Sequence, residues 1–145
     1  MLPTDDRASA ISGSCLCKTI RFEVTPPSIF CAHCHCTQCR RAHGAGFVTW
    51  FSVAHQQCRV TEGESHLVRY KSSDHGTRSF CGACGSSLFF TTTEDPERLD
   101  IVLGNMDGPI DLAPQAHIHF DSHVEWVLIE DELPRLGGAT GLEPL

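Results

Sequence analysis

Seven of the nine cysteines in this 145-residue chain fall into three tight groups: Cys15-Leu-Cys17, Cys34-His-Cys36-Thr-Gln-Cys39 and Cys81-Gly-Ala-Cys84. In a reducing compartment, thiols clustered this closely serve as metal ligands or nucleophiles, and an odd total argues against complete disulfide pairing. Two of the groups are pairs. Together they supply four thiolates, the number that closes a tetrahedral zinc site. The third supplies three, which leaves a metal with one position to spare, the feature that separates catalytic from structural zinc.

The pairs suit a staple. Gly82 and Gly85 free the backbone around Cys81 and Cys84 to turn, and Cys15 and Cys17 face one side if their stretch is extended. A site of Cys15, Cys17, Cys81 and Cys84 would tie the start of the chain to its middle. Cys34, Cys36 and Cys39 are compact enough to wrap a second zinc alone. Three thiolates on Zn²⁺ carry net charge −1, which makes a poor Lewis acid for hydrolysis. The same set suits taking up an incoming thiol and depressing its pKa. An opposing reading stays open, because Cys31-Ala-His-Cys34 is a further CxxC. Cys31, or one of His33, His35 and His43, could supply a fourth ligand and close the second site. Cys58 stands apart and reads as a plain thiol.

The chain is one domain of ordinary globular composition, 41% hydrophobic and 20% charged. Its formal net charge of −7 disfavours nucleic acid as a partner. Seven thiolates against two divalent cations would take that to about −10. No apolar run approaches a membrane span of ~20 residues. Met1–Arg7 lacks the apolar stretch of a secretory signal, so a cytoplasmic address is expected.

Apolar alternation predicts strands over 19–24, 47–53, 67–70, 87–92, 99–103, 116–120 and 125–129, separated by Gly, Pro, Asp and Ser. Only Thr37–His43 suits a helix, and a short one. The reading is a mainly β domain with cysteine clusters in its turns, polar flexible residues at 1–12 and a Gly-rich flexible tail at 137–145.

Three stretches carry a resemblance: Gly13-Ser-Cys-Leu-Cys-Lys-Thr-Ile-Arg-Phe-Glu-Val24, Cys34-His-Cys-Thr-Gln-Cys-Arg-Arg41 with Gly44, and Phe80-Cys-Gly-Ala-Cys-Gly-Ser86. With Pro114-Gln-Ala-His-Ile118, Trp126 and Leu133-Pro134 behind them, the chain resembles the glutathione-dependent formaldehyde-activating enzyme family, which includes centromere protein V. The resemblance covers residues 13–136. It implies a zinc-stabilised β fold of the Mss4-like type with short helical turns. It also implies two Zn²⁺ per chain, one on Cys15, Cys17, Cys81 and Cys84, the other, open, on Cys34, Cys36 and Cys39. The implied reaction is carbon–sulfur lyase chemistry: addition of glutathione to formaldehyde, or another small aldehyde, to give an S-hydroxymethyl hemithioacetal. The sequence departs from the family at Lys18, where glycine is usual, and at the extra Cys31.

Within that resemblance the catalytic cluster is Cys34, Cys36 and Cys39. Arg40 and Arg41 follow it directly, placed to meet the carboxylates of glutathione. His35 is the nearest proton acceptor. His117 matches the family pattern and reads as core or as support behind the ligands; with His119 it would share one strand face. Trp50 and Trp126 are expected in the core. The competing function is a non-enzymatic binding module stapled by two closed zinc sites.

Overall fold

The structure, a computed structural model, describes residues 10–145. The expectations for residues 1–9, including the reading of Met1–Arg7 as no secretory signal, lie outside the described residues. The fold is mainly β, as read: twelve strands and one α-helix among the described residues. No described helix is long and apolar enough to cross a membrane.

A three-stranded sheet forms from β1 (Ile11–Ser14), β2 (Arg21–Val24) and β5 (Cys58–Glu62). In β2 the alternation works as the sequence suggests, with Phe22 and Val24 buried and Arg21 outside. Arg21 pairs with Glu62 and Arg59 with Glu23 across the exposed face, pairs too solvated to add much stability.

The larger sheet has seven strands: β3 (Phe30–Cys34), β4 (Val48–Ala54), β6 (Leu67–Lys71), β7 (Gly76–Cys81), β8 (Ser87–Thr92), β9 (Asp95–Val102) and β10 (His117–Ile118). Their spatial order is β10-β3-β4-β9-β8-β7-β6, antiparallel except for the parallel β10–β3 pair. Strand β4 sits inside this sheet and is apolar on both faces. Phe51 and Val53 point to one side, where they pack with Ile20, Phe22, Val24, Leu99 and Ile101 in the main core shared with the small sheet. Val48 and Trp50 point to the other, into a second cluster with Cys34 and Cys39.

Cys31 lies opposite Phe51 in the β3–β4 register and is fully buried in the main core. Cys34 is three residues further along the same strand, so it faces the opposite side of the sheet. That alternation separates the two thiols.

The helix α1 (Thr37–His43) forms where expected. At seven residues it is marginal alone. Both ends are capped: Cys36 Sγ accepts the Cys39 amide at 3.2 Å, and Gly44 closes the helix in the left-handed region at φ 61°.

Four expectations are corrected. Residues 125–129 form no strand; the segment finds no ladder partner, and Trp126 and Leu128 are exposed. Trp126, expected in the core, is 74% exposed, whereas Trp50 is buried as expected. His119 takes φ 51° and leaves the strand after Ile118, so it shares no strand face with His117. The tail expected to be flexible is paired instead, β11 (Leu136–Gly137) against β12 (Glu143–Pro144), and the Gly141 carbonyl accepts the His119 amide at 3.0 Å.

Phe51 joins both sheets at the centre of the core, with no exposed surface. Phe51→Ala is expected to cost about 3–5 kcal/mol, read as a shifted denaturation midpoint at unchanged slope.

Candidate metal centres and the site around them

The sulfurs gather as four and three. The ligand atoms of Cys15, Cys17, Cys81 and Cys84 lie within 4.8 Å of one another, as do those of Cys34, Cys36 and Cys39. These are the two such groups among the described residues, and all nine cysteines are unpaired.

The four-sulfur group sits where the β1–β2 turn meets the β7–β8 turn, so it joins the small sheet to the large one. Cys15 Sγ and Cys17 Sγ are 3.6 Å apart, and Cys17 Sγ and Cys81 Sγ 3.9 Å. A tetrahedral zinc with bonds of ~2.3 Å spaces its sulfurs roughly 3.8 Å apart, so these residues fit the metal. The backbone around them is turned toward sulfur. Ile20 N–H donates to Cys15 at 3.3 Å and Ala83 N–H to Cys81 at 3.4 Å. Gly85, at φ 82°, closes the second turn with its amide on the Cys81 carbonyl at 2.7 Å. The turns are tied to each other by Leu16 N–H, which donates to Ser86 Oγ at 2.9 Å. The Ser86 hydroxyl, 3.3 Å from Cys84, leads the groups that hold that thiol down to about 5.

Lys18 occupies the first turn at φ 64°, its amide on the Cys15 carbonyl. The glycine usual at this position in the resembled family has a conformational reason here, and Lys18 carries the strain that glycine avoids.

The three-sulfur group lies across the large sheet from the main core. Cys34 ends β3, Cys36 caps α1 and Cys39 lies in its first turn. Sulfurs this close cannot all ionise unaided. The neighbouring thiols Cys36 and Cys39, and then burial, push Cys34 far up, while hydrogen bonds from Cys34 and Cys39 hold Cys36 far down. A divalent cation removes that conflict, so this donor set also fits a metal.

None of the candidate fourth ligands joins the three sulfurs. Cys31 is in the main core, and burial, followed by Asp111, raises its thiol to about 11. Cys58, the lone thiol, lies against the main core, where burial raises it to about 12. His33 bonds Thr49 Oγ1 through Nδ1 at 2.8 Å. His35 is 1% exposed and turned into a ring cluster with Phe47, His117 and Phe120. Its Nε2 lies 2.8 Å from His117 Nδ1, and His117 Nε2 lies 2.9 Å from Asp131 Oδ2. A carboxylate only accepts, so His117 carries its proton on Nε2. With one proton per ring, His117 Nδ1 then accepts from His35 Nε2, and His35 Nδ1 keeps a lone pair. That atom is buried without a partner. The chain of three thus braces the loop bearing Cys34 and Cys36 against the C-terminal segment, the role behind the ligands expected for His117.

Of the two arginines expected near substrate, Arg41 lines a cavity of about 620 Å³ between α1 and strands β6–β8, and Arg40 does not. His43 and Trp50 line it too. So does Arg78, which sequence reasoning missed: its Nη2 donates to Cys39 Sγ at 3.6 Å, and its guanidinium lies 5.2 Å over the Phe90 ring. The Arg-x-Phe-Cys run ahead of Cys81 was visible, but not that β7 would carry Arg78 to the other cysteine cluster.

Fold and site define a mainly β protein with one four-sulfur and one three-sulfur cluster. The family model described as "Glutathione-dependent formaldehyde-activating enzyme" matches residues 10–122, so the chain belongs to that family. A Halomonas elongata protein, provisionally named as such an enzyme, is 27% identical over 127 residues, covering 83% of this chain and 81% of its own. An uncharacterized lyase of Schizosaccharomyces pombe is 37% identical over 83 residues, 56% of this chain and 57% of that one. A crystal structure of a Rhodobacter sphaeroides protein shares the fold, with TM-score 0.59, 23% identity and coverage of 70% of this chain and 92% of its own.

Two outcomes are expected. Lys18→Gly should stabilise the protein by about 0.5–1 kcal/mol, because relief of left-handed strain outweighs the added freedom of the unfolded chain; calorimetry reads it as a higher Tm. Burial, and then His117, lower His35 to about 4. Its unfolded value is near 6.5, so the unfolded chain takes up a proton that the fold refuses. Stability should be full above about pH 6.5 and fall as pH drops toward 4, and the slope of Tm against pH should flatten in His35→Gln.

Proposed function

We propose that the protein is a zinc-dependent enzyme of carbon–sulfur lyase type that adds glutathione to formaldehyde or another small aldehyde, in the manner of an S-(hydroxymethyl)glutathione synthase. Cys15, Cys17, Cys81 and Cys84 would hold a structural zinc. Cys34, Cys36 and Cys39 would hold the zinc of the active site, and its partners are a small thiol and a small aldehyde in a reducing cytoplasm. The observation that carries this reading is the count of three: Cys31, His33, His35 and His43 all stay out of the cluster.

Zinc bound by three thiolates supplies one exchangeable position and stabilises an incoming thiol as thiolate. The chain's own part is to bind and place. Cys39 Sγ is held by the Arg78 guanidinium and Cys36 Sγ by the Cys39 amide, so the negative charge on the cluster is partly answered before substrate arrives. Arg41, at the cavity rim, is placed to meet a substrate carboxylate, and Arg40 adds positive charge on the same helix. The thiolate sulfur attacks the carbonyl carbon, one carbon–sulfur bond forms, and the π pair moves to oxygen. That oxygen takes the proton which the thiol lost, so nothing leaves. Formaldehyde adds to thiols unaided, and catalysis here is positioning and ionisation of the thiol. His35 is a poor candidate for the proton acceptor, because it is 1% exposed and its burial lowers it to about 4.

X-ray absorption at the zinc edge tests this. Two zincs should show seven sulfurs between them at rest and eight with glutathione, unchanged in Cys31→Ser. Eight at rest would replace the enzyme with the binding module of two closed sites.

A further inference from the structure

Arg78 is chemically incomplete as it stands. Nη2 is directed at Cys39 Sγ, while Nε and Nη1 are buried and have no acceptor. Arg78 is half-buried, and three N–H groups on two buried nitrogens without an acceptor are costly, a cost that an anionic partner would relieve. The same side chain lines the 620 Å³ cavity, whose walls also carry Gln38, Arg41 and His43 over an apolar surface of Trp50 and Phe89. His43 Nε2 is a further buried polar atom without a partner there. Among the cavity-lining residues both charged groups are arginines and none is acidic. A carboxylate on the incoming thiol would meet Arg41 and the part of the Arg78 guanidinium that Cys39 does not occupy.

We infer that Arg78 is the specificity-determining residue of the thiol site, binding a carboxylate of the incoming thiol in the cavity beside the three-sulfur cluster. The inference rests on the proposed function for where the sulfur goes, and deepens it by stating what else the thiol must carry. Arg78 touches Cys39, so the carboxylate it binds must lie a short way along the chain from the reacting sulfur. In glutathione the nearer carboxylate is that of glycine. Arg41, exposed at the rim, is placed for the more distant one. A guanidinium pairs with carboxylate through two parallel hydrogen bonds, a geometry that lysine or an amide does not reproduce.

The test is calorimetric binding to the zinc-loaded protein of glutathione, its glycine amide and S-methylglutathione, in wild type, Arg78→Gln and Arg78→Lys. Zinc content of each variant verifies the fold. Amidation should weaken binding to the wild type by about tenfold or more, the size of one charge-assisted pair. It should change nothing in Arg78→Gln, and Arg78→Lys should recover only part of the discrimination. Equal binding of glutathione and its amide to the wild type would overturn the inference. So would an equal loss of both in Arg78→Gln, which would reduce Arg78 to balancing the charge of the cluster. S-methylglutathione separates this from the function beneath it. If it binds as tightly as glutathione, the sulfur–metal reading fails, while carboxylate recognition still stands or falls on Arg78→Gln with that same probe. Absence of binding by all three overturns the inference.

Discussion

Thiolate sulfurs less than 4 Å apart repel, and the architecture depends on how that repulsion is answered. Two like unit charges at ~4 Å repel by about 4 kcal/mol at the effective dielectric of a protein surface. Cys17 lies 3.6 Å from Cys15 and 3.9 Å from Cys81. A cation at the centre would turn each repulsion into a bond, and through these residues it would link the turn after β1 to the turn after β7. The small sheet also meets the large one through apolar packing around Phe22, Phe51 and Ile101. The staple and the core act on the same joint.

The large sheet keeps two chemistries apart. Its covered face carries the main core, with Cys31 sealed among aromatic and aliphatic neighbours. Its other face carries the three-sulfur cluster, backed by Trp50 and Val48, and Arg78 joins that cluster to a cavity it lines with Arg41. Alternation along β3 sends Cys31 and Cys34 to opposite sides, so the cluster keeps three sulfurs although a fourth lies close in the chain. The resulting asymmetry, one saturated set and one unsaturated set, underlies the functional reading.

Much of this was legible along the chain. The knuckle at Cys81-Gly-Ala-Cys84-Gly85 announces itself, because a turn of that shape needs glycine and two ligands at fixed spacing. Thr37–His43 stood out as the sole helix candidate and forms over those residues. Strands β2, β4, β6 and β8 were read from alternation. Strand β3 was hidden because its residues are the cysteines and histidine of the motif, which signal ligands before they signal sheet. β7, Gly-Thr-Arg-Ser-Phe-Cys, is too polar to advertise a strand that is buried by its neighbours. Trp126 misled in the other direction, since large aromatic residues favour cores but nothing in the chain around this one closes over it.

Local order and spacing along the chain were enough to set the ligand groups, because thiols two or three residues apart converge on one metal wherever the chain turns. Long-range partnership was not legible, because it depends on strand register and on which face each side chain takes. That Arg78, next in line to the staple, reaches instead across to Cys39, that His35 turns away from its flanking cysteines to His117 and Asp131, and that Cys31 is withdrawn from the open cluster are all consequences of pairing β3, β4 and β7 in one sheet.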